Sequence, residues 1–278
     1  MAIISMDMNR STFIMFMTVV LLLPSCFVKE NRDGCPCWMT VEMPDRVGHD
    51  GSVVLRLRGN SDEDAVDYTY KVSESIKADV GILEYEVPRG SVGVSVVNSA
   101  RLEVSVGEQM DSLYGFFKMY HTRCESVRSE VKLHKEFCTV SFTLVDEHYE
   151  SPYDIEVRGN VSGVSPWDLV PVSGAFKYAP VAEEGVYRLR VPRQVDASLE
   201  LVMLEMPGQA GYDGGRTEDD GERAVVNRLP LGEYIIRSGY DWSATDLSDV
   251  SVALDLEKQQ VMVTVSGWDG VVMMDIVI

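Results

Sequence analysis

A period-two alternation of apolar and polar side chains recurs along almost the whole of this sequence, and it leaves room for little but sheet. Val53, Leu55 and Leu57 alternate with Val54, Arg56 and Arg58, and Leu83, Tyr85 and Val87 alternate with Glu84 and Glu86. Successive side chains of an extended backbone point to opposite faces, so each run lays its apolar set on one side of a strand. Val92, Val94 and Val96 follow, then Leu102, Val104 and Val106 against Glu103 and Ser105. Pro88-Arg89-Gly90 and Asn98-Ser99-Ala100-Arg101 between them carry the residues of short turns. The pattern is that of an antiparallel sandwich.

From about Glu108 to Val131 the alternation loosens, and it resumes as a long run in which Cys138, Val140, Phe142 and Leu144 alternate with Thr139, Ser141 and Thr143. A second domain is expected to start at Val131. Its later strands read as Ile155 and Val157, as Tyr187, Leu189 and Val191, and as Leu199 to Glu205. Residues 207–223 are rich in glycine and acids and predict an exposed loop; they lack the Asp-x-Asp-x-Asp-Gly spacing of a calcium loop. Leu231-Gly232-Glu233-Tyr234-Ile235-Ile236 predicts a strand, and Ser243-Ala244-Thr245-Asp246 has the capping-box spacing of one short helix. Val252, Leu254 and Leu256, then Val261, Val263 and Val265, then Val271 to Ile278 complete the set. That last run is apolar to its final residue, so it predicts either the closing strand of its own domain or a strand given to a neighbouring subunit. The fold expected from pattern is all-β, two antiparallel β-sandwich domains in tandem over residues 38–130 and 131–278.

Ahead of these domains, an apolar run from Phe13 to Leu23 ends in Leu23-Pro24-Ser25-Cys26. At 11 residues it is far shorter than the roughly 20 a bilayer-spanning helix needs, and reads as the h-region of a secretory leader over residues 1–25. Leu23, Ser25 and Cys26 match the lipobox of bacterial lipoproteins, in which the cysteine sulfur is lipidated and becomes the first mature residue. Cys26 is thus the expected lipidation site, residues 26–37 a lipidated spacer, and the cell outer membrane the expected location. An ordinary leader with a chance cysteine at its cut site is the alternative. Each buried methylene contributes roughly 0.8 kcal/mol and a single chain gives only reversible attachment, so stable anchoring follows from the two or three chains of a lipoprotein.

A formal net charge of −19 argues against nucleic acid and against anionic lipid as partners, because both would repel it. Beyond Cys26 lie Cys35, Cys37, Cys124 and Cys138; export permits disulfides, and four cysteines allow three connectivities. Cys35-Pro36-Cys37 has no second Cys or His pair at finger-like spacing, and His49, His121, His134 and His148 stand alone, so no metal or other cofactor is expected. A nucleophile elbow, a phosphate-binding glycine loop and a His-Glu-x-x-His helix are missing, and no enzymatic activity is expected. Trp167, Tyr240, Trp242 and Trp268 could stack on sugars as an exposed platform or fill the second core.

The stretch Cys26-Phe27-Val28-Lys29-Glu30-Asn31-Arg32-Asp33-Gly34-Cys35-Pro36-Cys37-Trp38, then Leu133-His134-Lys135-Glu136-Phe137, Val157-Arg158-Gly159-Asn160, Val191-Pro192-Arg193-Gln194, Leu231-Gly232-Glu233-Tyr234-Ile235 and Ser238-Gly239-Tyr240-Asp241-Trp242, resembles in order and spacing the fimbrillin-associated anchor subunits of Bacteroidia. The resemblance implies two transthyretin-like sandwich domains, lipid on Cys26, and a subunit that attaches a type V fimbrium to the outer membrane and terminates its assembly. It also implies a stalk subunit as partner, engaged by strand pairing. A glycan-binding lipoprotein of a polysaccharide-uptake system would share the lipobox and the sandwich, and is the alternative; a secreted β-rich enzyme would need a catalytic cluster.

Overall fold

A computed structural model of the protein describes residues 35–43, 52–61, 69–77, 81–145, 153–205, 225–267 and 271–275. Cys26, the leader, the 207–223 segment and Trp268 lie outside the described residues.

The N-terminal half is built from β1 (Cys37–Glu42), β2 (Ser52–Ser61), β3 (Thr69–Lys77), β4 (Ile82–Val87), β5 (Gly90–Val97), β6 (Tyr114–His121), β7 (Ser126–Glu130) and β8 (His134–Lys135). They form a three-stranded sheet of order β4-β1-β7 and a five-stranded sheet of order β3-β2-β5-β6-β8. The alternation read in the sequence decides which side chains lie between the two. Cys37, Met39 and Val41 of β1, Val53, Leu55 and Leu57 of β2, and Val92, Val94 and Val96 of β5 are at most 1% exposed and belong to one apolar cluster. Each such side chain contributes on the order of 1.5–3 kcal/mol by leaving water, and slipping a strand by one residue would turn its whole set outward.

The C-terminal half contains β9 (Phe137–Val145), β10 (Tyr153–Val164), β11 (Pro171–Tyr178), β12 (Ala182–Glu183), β13 (Val186–Pro192), β14 (Glu200–Glu205), β15 (Val225–Leu229), α1 (Leu231–Arg237), β16 (Val250–Asp255), β17 (Gln260–Val265) and β18 (Val271–Asp275). Its sheets run β11-β10-β14-β15 and β12-β13-β9-β16-β17-β18. Cys138, Val140 and Phe142 of β9, Leu189 and Val191 of β13, and Val252 and Leu254 of β16 all enter one buried cluster. The protein is therefore all-β in character, a tandem of β-sandwiches, and Pro36–Ile278 forms one compact unit.

The structure corrects the sequence reading at several points. Leu231 to Ile236 is helix, not strand: Leu231, Tyr234 and Ile235 are the buried set, a spacing of three and four that marks one face of a helix. Ser243 to Asp246 is an irregular turn instead of a helix; Asp241 accepts from the Ser243 N–H at 2.8 Å and hydroxyl at 2.6 Å, which leaves Asp246 free to bond elsewhere. Leu102 and Val104 are buried as expected, but no strand forms there, only a bridge between Glu103 and Gly163. The stretch without alternation holds both β6 and β7.

Candidate functional site

Three of the motifs that carry the resemblance, Leu133–Phe137, Val191–Gln194 and Ser238–Trp242, meet at the joint where the chain passes from the N-terminal to the C-terminal half. β8 pairs with β6 through Tyr114↔Lys135 and Gly115↔His134, and β9 starts at Phe137 in the other half. Glu136 is the single residue between them. Its N–H donates to the Leu113 carbonyl at 3.0 Å, and its buried carboxylate accepts from Arg193 Nε at 2.8 Å. Arg193 also donates through Nη1 to the carbonyls of Trp242 at 2.6 Å and Ala244 at 2.7 Å. A planar guanidinium presents donors on separate nitrogens in a fixed fork that fits these spread acceptors, where an ammonium offers all its donors from one point.

Two carboxylates from the loop before β16 hold the other side of the joint. Asp246 accepts from the Lys135 N–H at 2.9 Å and from His134 Nδ1 at 3.0 Å. Asp249 accepts from Lys135 Nζ at 2.5 Å and from the Thr139 N–H at 2.7 Å. Burial works against ionisation of both, yet these donors outweigh it and hold each carboxyl below its usual range. The Lys135 ammonium lies 4.7 Å from the centre of the Phe137 ring, a favourable cation–π placement. Tyr240 and Trp242, packed edge to face at 4.7 Å, form the floor, and the Tyr240 hydroxyl donates to the Ser248 carbonyl at 2.7 Å.

A second lock is an arm over residues 98–113. Asn98 pins its two ends, donating from Nδ2 to the Ser112 carbonyl at 2.9 Å while Oδ1 accepts from the Tyr114 N–H at 2.7 Å. Between the pins the arm leaves the N-terminal half and lies on the other one. Val104 N–H donates to Ser162 O at 2.8 Å, Val164 N–H to Leu102 O at 2.9 Å, Gly107 N–H to Lys177 O at 2.7 Å and Met110 N–H to Arg190 O at 3.0 Å. Leu102, Val104, Met110 and Leu113 are buried in the C-terminal core. The crossing is tight enough that a Cβ on Gly163 would sit 2.0 Å from the Leu102 carbonyl oxygen. Ser95 of β5 adds a hydroxyl bond to the Pro166 carbonyl at 3.0 Å, so the five-stranded sheet of one half is bonded directly to the other half.

The remaining sequence candidates separate. Tyr240 and Trp242, 6% and 7% exposed, are core residues, and Trp167 is half-buried, so these three do not make an exposed stacking face. The last described strand pairs with its own sheet, from Gln260↔Asp275 to Thr264↔Val271, as a closing strand does. β18 is then an edge, with Val271 and Met273 59% and 68% exposed. A shallow groove of about 440 Å³, lined by Thr143, Arg188, Ala253, Met262 and Val271 among others, runs beside it. In the sequence Asp246 stood out only as a helix-capping residue and Asp249 not at all, and the arm's one signal was a short apolar run after a turn. Among the described residues no helix is long and apolar enough to cross a membrane.

The architecture is similar to that of solved surface proteins from Bacteroidia, a fimbrial anchor protein among them. The solved structure of the fimbrial anchor protein Mfa2 from Porphyromonas gingivalis is similar over 87% of this chain and 100% of that one, with a TM-score of 0.54 and 9% identity. A proposed polysaccharide-binding protein from Bacteroides thetaiotaomicron is similar over 86% and 98%, with a TM-score of 0.55 and 14% identity. At such identities the likeness is one of fold. No protein-family model and no curated protein matches the chain.

Proposed function

We propose that the mature protein is a lipid-anchored fimbrial subunit that holds the base of a fimbrium at the outer membrane and terminates its assembly. The observation that carries this reading is the locked joint. A base subunit stands between a membrane tether and a long lever, and its halves must not part under load; the largely buried Glu136–Arg193 pair, the more exposed Asp246 and Asp249, and the shared core under the 98–113 arm join them. The fold shared with Mfa2 supports the same reading. We place the division of the tandem near residue 131, with the lipid on Cys26 and the spacer ahead of the first sandwich. The role is one of assembly, not catalysis.

The stalk partner would engage by strand pairing, and the outer edge of β18 is suited to it. An edge strand presents unpaired N–H and C=O groups that a guest strand completes, while the exposed Val271 and Met273 offer apolar contact. A glycan-binding role is less favoured, because Tyr240 and Trp242 are spent on the core.

Replacing Cys26 by Ala tests the membrane half of the proposal. The variant should move from the membrane pellet to the soluble fraction. Unchanged membrane retention, with no lipid mass on Cys26 of the parent protein, would rule lipid anchoring out.

A further inference from the structure

Two of the four downstream cysteines meet at the start of β1. Cys37 opens that strand, points inward and is fully buried in the N-terminal core. Trp38 N–H donates to the Glu125 carbonyl at 2.9 Å, and the parallel register of β1 with β7 starts at Trp38↔Ser126. The short connection between β6 and β7 therefore lies beside the first residue of β1. Cys124 sits on that connection, exposed, two residues before the Ser126 that pairs with Trp38, so its thiol neighbours and influences that of Cys37. The connection is held in place by Thr122, whose N–H donates to Gly90 O at 2.9 Å and whose hydroxyl donates to Pro88 O at 2.7 Å. Cys138 belongs to the other core, beside Tyr240, and Cys35 is exposed two residues ahead of Cys37.

We propose that Cys37 and Cys124 are joined by a disulfide in the exported protein, tying the first residue of β1 to the β6–β7 connection and leaving Cys35 and Cys138 outside the bond. The oxidant is a protein disulfide of the thiol–disulfide exchange class, which secreted chains meet on export. Exposed Cys124 attacks it as thiolate: one sulfur–sulfur bond of the carrier breaks, a Cys124–carrier bond forms, and one carrier thiol is released. Cys37 then attacks Cys124 Sγ, the mixed disulfide breaks, and the second carrier thiol leaves. Two protons and two electrons pass to the carrier, and the pair is oxidised. Burial, with Cys124 beside it, pushes the Cys37 thiol up to about 11. At neutral pH Cys37 is therefore the poorer nucleophile, which assigns the first attack to Cys124 and the intramolecular step to Cys37.

The use of such a bond rests on the anchor reading. Tension from lipid on Cys26 would enter the fold along the chain at β1, the middle strand of its three-stranded sheet. A covalent tie at Cys37 passes that load to the next strands before any β1 hydrogen bond is strained.

The test uses the full chain recovered from cells that export it. Free thiols are blocked with iodoacetamide under denaturing, non-reducing conditions, and the protein is digested and read by mass spectrometry. Cys35 and Cys37 share a tryptic peptide, so fragment ions between them assign the linked sulfur. The expected result is a Cys37–Cys124 linked pair two hydrogens lighter than the reduced peptides, with Cys35 and Cys138 alkylated. Alkylated Cys37 and Cys124, or a Cys35–Cys124 link, would overturn the proposal. As a second readout, reductant should speed tryptic cleavage after Arg123 by about tenfold in the parent protein, because the connection can then open locally; an unchanged rate would count against the bond. Neither readout depends on lipid or fimbriae, so failure of the anchor reading leaves this result standing.

Discussion

Arg193 Nε lies 2.8 Å from Glu136 Oε2, and the residue this pair fixes is the one at which the chain changes from one sandwich to the other. Burial pushes the Glu136 carboxyl up and the Arg193 guanidinium opposes it without cancelling it. The joint thus stores a dependence: the carboxylate tolerates its site only while the cation is present.

Replacing Arg193 by Ala leaves that carboxylate buried without its partner and strips the carbonyls of Trp242 and Ala244 of their donor. Side-chain exposures of 13% and 10% leave the pair mostly but not fully buried, so removing one member should cost on the order of 2–4 kcal/mol, somewhat less than the roughly 3–5 of a fully buried pair. Urea unfolding of the chain lacking its leader should show a loss of that order for Arg193→Ala. Arg193→Lys should recover only part of it, since one ammonium cannot reproduce the fork.

The acid response of the joint has a definite sign. Asp246 and Asp249 titrate below their ordinary range when folded, so their contribution is fully present above the unfolded value of about 3.9 and is lost as pH falls through the folded one. Glu136 acts oppositely: its folded value is raised, so stability falls as pH rises from about 4.3 through that value and carries a constant penalty above it. Urea midpoints measured from about pH 7 down to about pH 3 should drop below about pH 4. The Asp249→Asn variant should start lower and show a shallower acid limb; an unchanged slope would show that this carboxylate does not brace the joint.

Gly163 is the point at which the arm presses on β10. A methyl group there would meet the Leu102 carbonyl oxygen at 2.0 Å and the Glu103 Cα at 2.7 Å, backbone atoms that cannot rotate away. Gly163→Ala should cost about 2 kcal/mol or more and raise hydrogen exchange across residues 98–113. Gly81→Ala is the control, because nothing lies within 4 Å of its Cβ position, and it should leave both measures unchanged.

β2, β4, β9, β16 and β17 were legible because one side of each meets a core; β5 is buried on both faces and still alternates because Gly93 and Ser95 stand on its second face. β6 hid for a physical reason: Phe116 packs on the N-terminal cluster and Phe117 on the C-terminal one, so both faces are apolar and the period vanishes. Leu231 to Ile236 misled because so short an apolar run does not separate helix from strand; in the helix, Gly232 lets the backbone pass close to Ala197, whose carbonyl oxygen would lie 2.5 Å from a Cβ there. The motifs of the joint were visible as words, but their purpose was not, since Asp246 and Asp249 reach partners more than a hundred residues away in the chain. No local pattern records such a meeting.

The anchor role is tested most directly by what happens to fimbriae when this protein is removed. Cells of the parent strain lacking only this chain should be examined by electron microscopy, with fimbriae counted on cells and in the medium and their lengths measured. A base that is neither held nor capped predicts fimbriae released into the medium or grown longer than on parent cells. Fimbriae of normal length and number, still attached to cells lacking the protein, would contradict the anchor role.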